Sequence, residues 1–368
     1  MSAVPQLLTA VELEHLAVGA RVLAAGTEES AYRVALDWAG AELAAHGPVP
    51  LLPPDRLDGV GLCVTVTLAG ASAALAEQLP TGGEALKAVR AVERVVGRPA
   101  EAVVAINTAA ENALVALATA ARCGLPLIDG DGCGRVLPLL EQTVFTLAGV
   151  PPAPLALGTP SGDVITVESA GSHVEDLVRP LVLAAGGWAV AAAYPMDGAE
   201  LANCLVRSTV SRALAAGTVP ERERFASWPI RRLCRGRIAA VEQSTAAYDE
   251  SFGHAHPWAD AVALPSGPTS VLIDEADGLR RRFRLEAHNE VLLALADGAV
   301  AAAAPDQILI LSAADRRVVD VERALPGTEV EVVVIEAAPA WHTPEGRGLA
   351  QVGGLASFDP GRSPGEAR

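Results

Sequence analysis

Lysine is almost missing from this chain: Lys87 stands alone beside 27 arginines. That scarcity removes two chemistries. A phosphate-cradling P-loop needs Gly-Lys-Ser/Thr, and no such run occurs, so no nucleotide cofactor is expected. A Schiff-base mechanism would have to use Lys87, which follows the turn Pro80-Thr81-Gly82-Gly83 inside a helical pattern and reads as part of a solvated helix face. Aromatics supply only 4% of residues, so Ala, Val and Leu must fill the interior. The five cysteines (63, 123, 133, 204 and 234) never fall into Cys-x-x-Cys, which argues against a zinc ribbon or a disulfide framework and for reduced thiols. No basic stretch leads into an apolar core with a small-residue cleavage site, and no uncharged apolar run reaches membrane-spanning length outside Ala-rich helical stretches. A cytoplasmic protein is expected. Its net charge of −16 repels nucleic-acid backbones and anionic membranes, leaving a small-molecule substrate as the expected partner.

What is present is periodic. At 368 residues, half of them apolar, the chain suits two domains. Thr9-Ala10-Val11-Glu12 reads as a capping box that opens a helix. Helices over about 31–45, 83–95 and 111–122 alternate with strands over 60–67, 102–106 and 125–128, which predicts an α/β domain with a mainly parallel sheet and crossover helices. Pro151-Pro152-Ala153-Pro154 looks like a linker. Beyond it come a strand at 163–168, a helix at 173–185, a strand at 188–194 and a helix at 197–215. From 236 onward short strands predominate (236–242, 261–264, 269–273, 281–286, 290–295, 307–312, 329–336). The expected division is an N-terminal α/β domain over 1–165, an α+β, β-rich C-terminal domain over 166–352, and a flexible tail over 353–368.

Ligands of parallel sheets sit beyond the carboxyl ends of the strands. Three loops belong there: those after Thr67, from Asn107, and from Asp129. The third reads Asp129-Gly130-Asp131-Gly132-Cys133-Gly134-Arg135. Its carboxylates suit metal binding or acid–base work, and Arg135 suits an anionic or carbonyl-rich ligand. The same residues also suit a glycine turn closed by Asx hydrogen bonds and an Asp–Arg pair. Cys133 is either a nucleophile or a packed, inert thiol. His254-Ala255-His256 puts two rings on one face if extended, a partial zinc site that needs a third ligand, or else it is plain surface loop. His288-Asn289-Glu290 precedes a strand, and His173 opens a helix.

Leu79-Pro80-Thr81-Gly82-Gly83-Glu84-Ala85-Leu86, the 129–135 loop with Pro138, Tyr194-Pro195-Met196-Asp197-Gly198-Ala199-Glu200, His288-Asn289-Glu290 and Trp341-His342-Thr343-Pro344-Glu345-Gly346 together carry a resemblance. In order and spacing, over roughly residues 8 to 360, the chain resembles the DUF917 family, described as S-methyl-thiohydantoin desulfurase-like. The resemblance implies an enzyme acting on a hydantoin-like ring by water addition and elimination. It implies a hydantoinase-type partner or a homo-oligomer, and possible use of a divalent metal such as zinc. Under it, Asp129, Asp131 and Arg135 become candidate catalytic residues. Glu28, Glu29, Asn107, Asn112, Cys133, Asn289 and Glu290 become candidate substrate contacts. Asp129 and Asp131, or less favourably His254 and His256, would hold any metal. The chain departs from the family in two loops. Gly26-Thr27-Glu28-Glu29-Ser30 replaces a glycine run, and Asn107-Thr108-Ala109-Ala110-Glu111-Asn112 replaces Glu-x-Gly-Gly-x-Asn. A cyclase or lyase with new specificity, or a non-catalytic binding protein, therefore stands beside the desulfurase-like reading.

Overall fold

A computed structural model describes residues 6–24, 29–170, 174–225, 228–243, 269–288 and 290–350. By its contacts the chain divides into two compact units, 1–220 and 221–368. Among the described residues, no helix is long and apolar enough to cross a membrane.

The first unit is built on a nine-stranded sheet. Its centre is the expected parallel set: β2 (Val49–Leu52), β5 (Leu127–Asp131), β4 (Ala100–Ala105) and β3 (Leu62–Gly70), in that order. Antiparallel strands extend both sides and make the whole sheet mixed. β1 (Gln6–Leu8) adds to β2, while β8 (Trp188–Asp197), β6 (Leu155–Gly158) and β7 (Val164–Val167) follow β3. The helices of this unit are α1 (Ala10–Val22), α2 (Glu29–His46), α3 (Ser72–Glu77), α4 (Glu84–Val96), α5 (Ala110–Cys123), α6 (Val144–Leu147), α7 (Val174–Ala184), α8 (Gly198–Cys204) and α9 (Thr209–Thr218). α1 starts at the expected capping box, with Thr9 and Glu12 bonding each other's backbone ends. α5 is Ala- and Leu-rich, buries residues on every side, and ends where Gly124 takes a left-handed conformation (φ 67°).

Two sequence expectations change here. The proline run at 151–154 does not separate the units: Pro152 accepts from the Tyr194 amide (3.0 Å) and the chain re-enters the sheet as β6. β8 pairs with β3 along almost its whole length, and by contacts the chain parts after Pro220. The single helix expected over 197–215 is broken in two, because Val206 and Arg207 form a short strand, β9, against Gly130 and Asp131. The expected strand at 261–264, His173, and the tail beyond 350 lie outside the described residues.

The second unit is a closed antiparallel barrel of β10 (Ile230–Gln243), β11 (Thr269–Glu275), β12 (Arg282–His288), β13 (Glu290–Ala296), β14 (Ala299–Ser312) and β15 (Glu329–Ile335), followed by α10 (Pro344–Ala350). β10 is long enough to pair with β15 along its first half and β11 along its second. Register shifts between Arg232 and Cys234 and between Ile238 and Ala240 bend it for that double role. Alternate residues such as Ile238, Val271, Phe283, Leu285, Ile310 and Val332 fill the interior.

In the first unit α1 and α9 meet backbone to backbone. A Cβ on Gly19 would lie 1.8 Å from the Ala213 carbonyl oxygen, whereas one on Gly40 would meet nothing nearer than a Leu13 methyl at 3.7 Å. Gly19→Ala is therefore expected to cost about 1–3 kcal/mol. Gly40→Ala, in the interior of α2, should be neutral or stabilise by about 0.5–1 kcal/mol. Urea midpoints of the two variants measure the contrast, and equal midpoints would contradict the packing.

Candidate functional site at the carboxyl edge of the parallel strands

β3, β4 and β5 run parallel, so their carboxyl ends share one edge, and the three expected loops leave from it. The loops are laced at that level. Ile106 donates its N–H to Val66 O, and Gly132 donates to Ile106 O, each at 3.0 Å. Asp131, the last residue of β5, is 0% exposed. Its Oδ2 accepts from the Thr108 amide (2.7 Å), and its Oδ1 from the amides of Cys133 (3.0 Å) and Gly134 (2.6 Å). One carboxylate thus closes its own loop as an Asx turn and pins the 107–112 loop to it. Burial pushes its pKa above the usual aspartate value, and the accepted N–H bonds oppose that rise.

Asp129 faces α9. Its Oδ1 accepts from the Ser211 amide (2.9 Å), its Oδ2 from the Ser211 hydroxyl (2.5 Å), and its carbonyl from the Ser208 amide (3.0 Å). Ser208 precedes α9 in a left-handed conformation (φ 61°) and makes no side-chain cap. Asp129 supplies the missing cap from another strand, where a carboxylate also suits the positive end of the helix. Thr108 Oγ1 and Thr209 Oγ1 hydrogen-bond at 2.8 Å. Asp131, Thr108, Thr209, Ser211 and Asp129 form a chain of contacts running from the loop edge to α9.

The loop glycines serve this packing. A Cβ on Gly130 would meet Leu205 Cδ2 at 2.5 Å, and one on Gly132 would meet the Phe145 ring at 2.6 Å; only Gly134 has a left-handed φ, at 74°. Cys133 is buried and donates its thiol to Gln142 O (3.2 Å). Burial first, and then the charge of Asp131, push that thiol well above its ordinary pKa, with Arg135 opposing. Arg135 is 3% exposed and donates Nε–H to Val136 O (3.1 Å). Tyr194, itself at φ 47°, props the loop: its hydroxyl donates to Leu140 O (2.9 Å), bonds Thr146 Oγ1 (2.8 Å), and its ring meets Phe145 edge-on at 5.4 Å.

In the middle loop, Asn107 Oδ1 accepts from the Ala109 amide (3.2 Å) and from Asn112 Nδ2 (3.4 Å). Asn112 Oδ1 in turn accepts from Thr67 Oγ1 (2.9 Å) and the Leu68 amide (2.8 Å), binding the loop to β3. Glu111 is buried in the first turn of α5. The Tyr32 phenol is pushed up mainly by burial, with the Glu111 charge adding to the rise and nearby Arg21 opposing it. Arg21 lies 4.1 Å over the Tyr32 ring and pairs with Glu29 at 2.8 Å. Arg21, Glu29 and Tyr32 thus tie α1 to α2, and the Glu111 charge is felt at Tyr32.

Of the sequence candidates, Asp129, Asp131, Cys133, Arg135, Asn107 and Asn112 come together at this edge. Glu29 belongs to the Arg21 ion pair. Glu290 begins β13 in the second unit, the register partner of His288 across a hairpin. Glu28, Asn289, His254 and His256 lie outside the described residues. Among those described, no group of three or more His, Cys, Asp or Glu is placed to hold a metal ion. The groups around Asp129 and Asp131 are N–H and O–H donors, which complement carboxylates rather than a cation. Thr108, Glu111, Tyr194 and the segment Ser208-Thr209-Val210-Ser211 were missed from sequence. The Ser-Thr-x-Ser run is itself a helix-start signal that could have located α9.

Comparison with known proteins fits this geometry. The profile of the S-Me-THD-like N-terminal domain matches residues 11–169, and that of the S-Me-THD-like C-terminal domain matches residues 169–360. The chain belongs to the S-Me-THD-like family. A crystal structure of a protein from Chromobacterium violaceum is similar in fold, with a TM-score of 0.67 at 24% identity, covering 90% of this chain and 92% of that one. No curated protein matches the chain.

Asp131→Ala leaves two buried N–H groups and the half-buried Gly134 N–H without their acceptor. At roughly 1–3 kcal/mol for each such group it is expected to cost about 3 kcal/mol or more. Asp129→Asn keeps a competent helix cap and should cost no more than about 1 kcal/mol. Denaturant unfolding of both variants checks the order, and a harmless Asp131→Ala would contradict the lacing described above. Cys133 should also resist a thiol reagent at pH 8 in the folded protein and react once urea unfolds it, as mass spectrometry of the labelled peptide would show.

Proposed function

We propose that this member of the S-Me-THD-like family is an enzyme acting on a small hydantoin-like cyclic amide or amidine by water addition and elimination. The observation that carries the reading is the conjunction of family profiles over nearly the whole chain with a laced polar edge at the carboxyl ends of β3, β4 and β5. That edge is where parallel α/β sheets take ligands.

In a desulfurase-like reaction the oxygen of water attacks the ring carbon bearing the S-methyl group, the C=N electron pair moves to the ring nitrogen, which takes one proton of the water, and a tetrahedral centre forms. The carbon–sulfur bond then breaks with its electron pair moving to sulfur, the oxygen closes to a carbonyl, and the second proton of the water ends on the departing thiolate. The products are the ring carbonyl compound and methanethiol. Such a path needs a proton acceptor, a stabiliser of developing charge and a fixed ring. The oxygens of Asn107 and Asn112 accept from protein donors, so in this proposal their amide N–H groups are the ones offered to a lactam carbonyl. Glu111, in the first turn of α5 beside them, takes the role of proton acceptor in this proposal. Arg135 is the cation for the developing charge. Asp129 and Asp131 act as positioning groups, because each spends both oxygens on protein donors.

That same saturation favours a second reading, a binding protein for such rings that does not turn them over. A panel of hydantoins, S-methyl-thiohydantoins and lactams separates the two, with methanethiol release, ring opening and binding all measured. Turnover is expected, and Glu111→Gln and Arg135→Ala should each lower it about a hundredfold or more; because both side chains are buried, turnover is measured at a temperature where circular dichroism shows each variant folded. Binding without turnover would favour the second reading, and unchanged turnover in both variants would contradict the assigned roles.

A further inference from the structure

A hollow of about 360 Å³ lies against α1 and α9, lined by Glu12 and His15 from α1 and by Ser211, Leu214 and Ala215 from α9, among others. Its size reaches the lower end of small-ligand sites, about 300–1,000 Å³. Its polarity is set by a contact at its wall. The Ser211 hydroxyl gives its proton to the buried Asp129 carboxylate at 2.5 Å, and a carboxylate in that pairing can only accept. The serine oxygen is thereby fixed as an acceptor towards anything in the hollow. Glu12 is held in place by the Thr9 amide, which donates to its Oε2 at 3.0 Å, and by the Thr9 hydroxyl. Those bonds, the Thr9 hydroxyl foremost, keep the Glu12 carboxyl below the usual glutamate value, so it is charged at neutral pH. His15 follows three residues later on the same helix, which places it one turn along the same face. Leu214 and Ala215 add an apolar wall, and the chain as a whole carries a net charge of −16.

We propose that this hollow is a binding site for a compact, planar, N–H-rich organic cation of the amidinium or guanidinium class, which would give hydrogen bonds to Ser211 and Glu12 and lay its flat face on Leu214 and Ala215. The hollow shares the Asp129–Ser211 contact with the loop edge but does not depend on the reaction proposed there. It differs from an exposed acidic patch because one acceptor, Ser211, is oriented by a buried carboxylate.

The full-length protein at neutral pH would be titrated with benzamidinium and with its uncharged analogue benzamide, by calorimetry and by NMR of the His15 ring. Benzamidinium is expected to bind and shift the His15 signals, with benzamide at least tenfold weaker. Ala215→Leu fills the hollow from an exposed helix position, clear of the Asp129–Ser211 contact. It should weaken benzamidinium at least tenfold with the melting temperature unchanged, and Glu12→Gln should weaken it in the same direction. No His15 shift with benzamidinium, equal binding of benzamide, or full affinity in Ala215→Leu would each overturn the proposal. None of these readouts involves turnover, so failure here is distinguishable from failure of the enzymatic reading.

Discussion

A single buried carboxylate, Asp131, takes hydrogen bonds from three backbone N–H groups, and the loop edge of the first unit depends on it. Two donors come from its own turn and one from Thr108, so the loops after β4 and β5 cannot move independently. A buried charge is tolerated only when its oxygens are satisfied, and a carboxylate accepting several N–H bonds meets that condition at the cost of rigidity. The rigidity extends outward. Thr108 touches Thr209, Ser211 touches Asp129, and α9 is drawn against α1 through the contact of Gly19 with Ala213.

The central parallel strands, the capping box at Thr9 and the strand-rich second half were legible in the sequence because each rests on a local pattern: period-two or helical burial, or a cap spacing. The barrel's closure was not, since it requires β10 to bend and serve two partners, which only long-range pairing reveals. The place of β6 to β8 was also hidden. The Pro-rich run at 151–154 has the composition of a linker, yet it returns the chain to the same sheet.

At the site, the Asp-Gly-Asp-Gly-Cys-Gly-Arg loop could be found from residue types, but the purpose of its parts could not. Gly130 and Gly132 suggest a backbone left bare for a ligand, whereas their missing side chains make room for Leu205 and Phe145. Asp129 suggests an acid or base, whereas its oxygens are given to a helix that the sequence reading had merged into its neighbour. The turn holds the aspartates, and in the proposed function the adjoining segment 107–112 supplies the groups that meet a cyclic ligand.

Arg21 pairs with Glu29 at 2.8 Å and lies 4.1 Å over the Tyr32 ring, so these three side chains form one cluster between α1 and α2. In the proposed function the segment 107–112 takes the ring while Asp131 only positions it. A crystal structure with a bound hydantoin tests it most directly. The ring is expected within hydrogen-bonding distance of Asn107, Glu111 or Asn112, with all three N–H bonds to Asp131 retained. A ring bonded to Asp131 itself, with those N–H bonds broken, would contradict it.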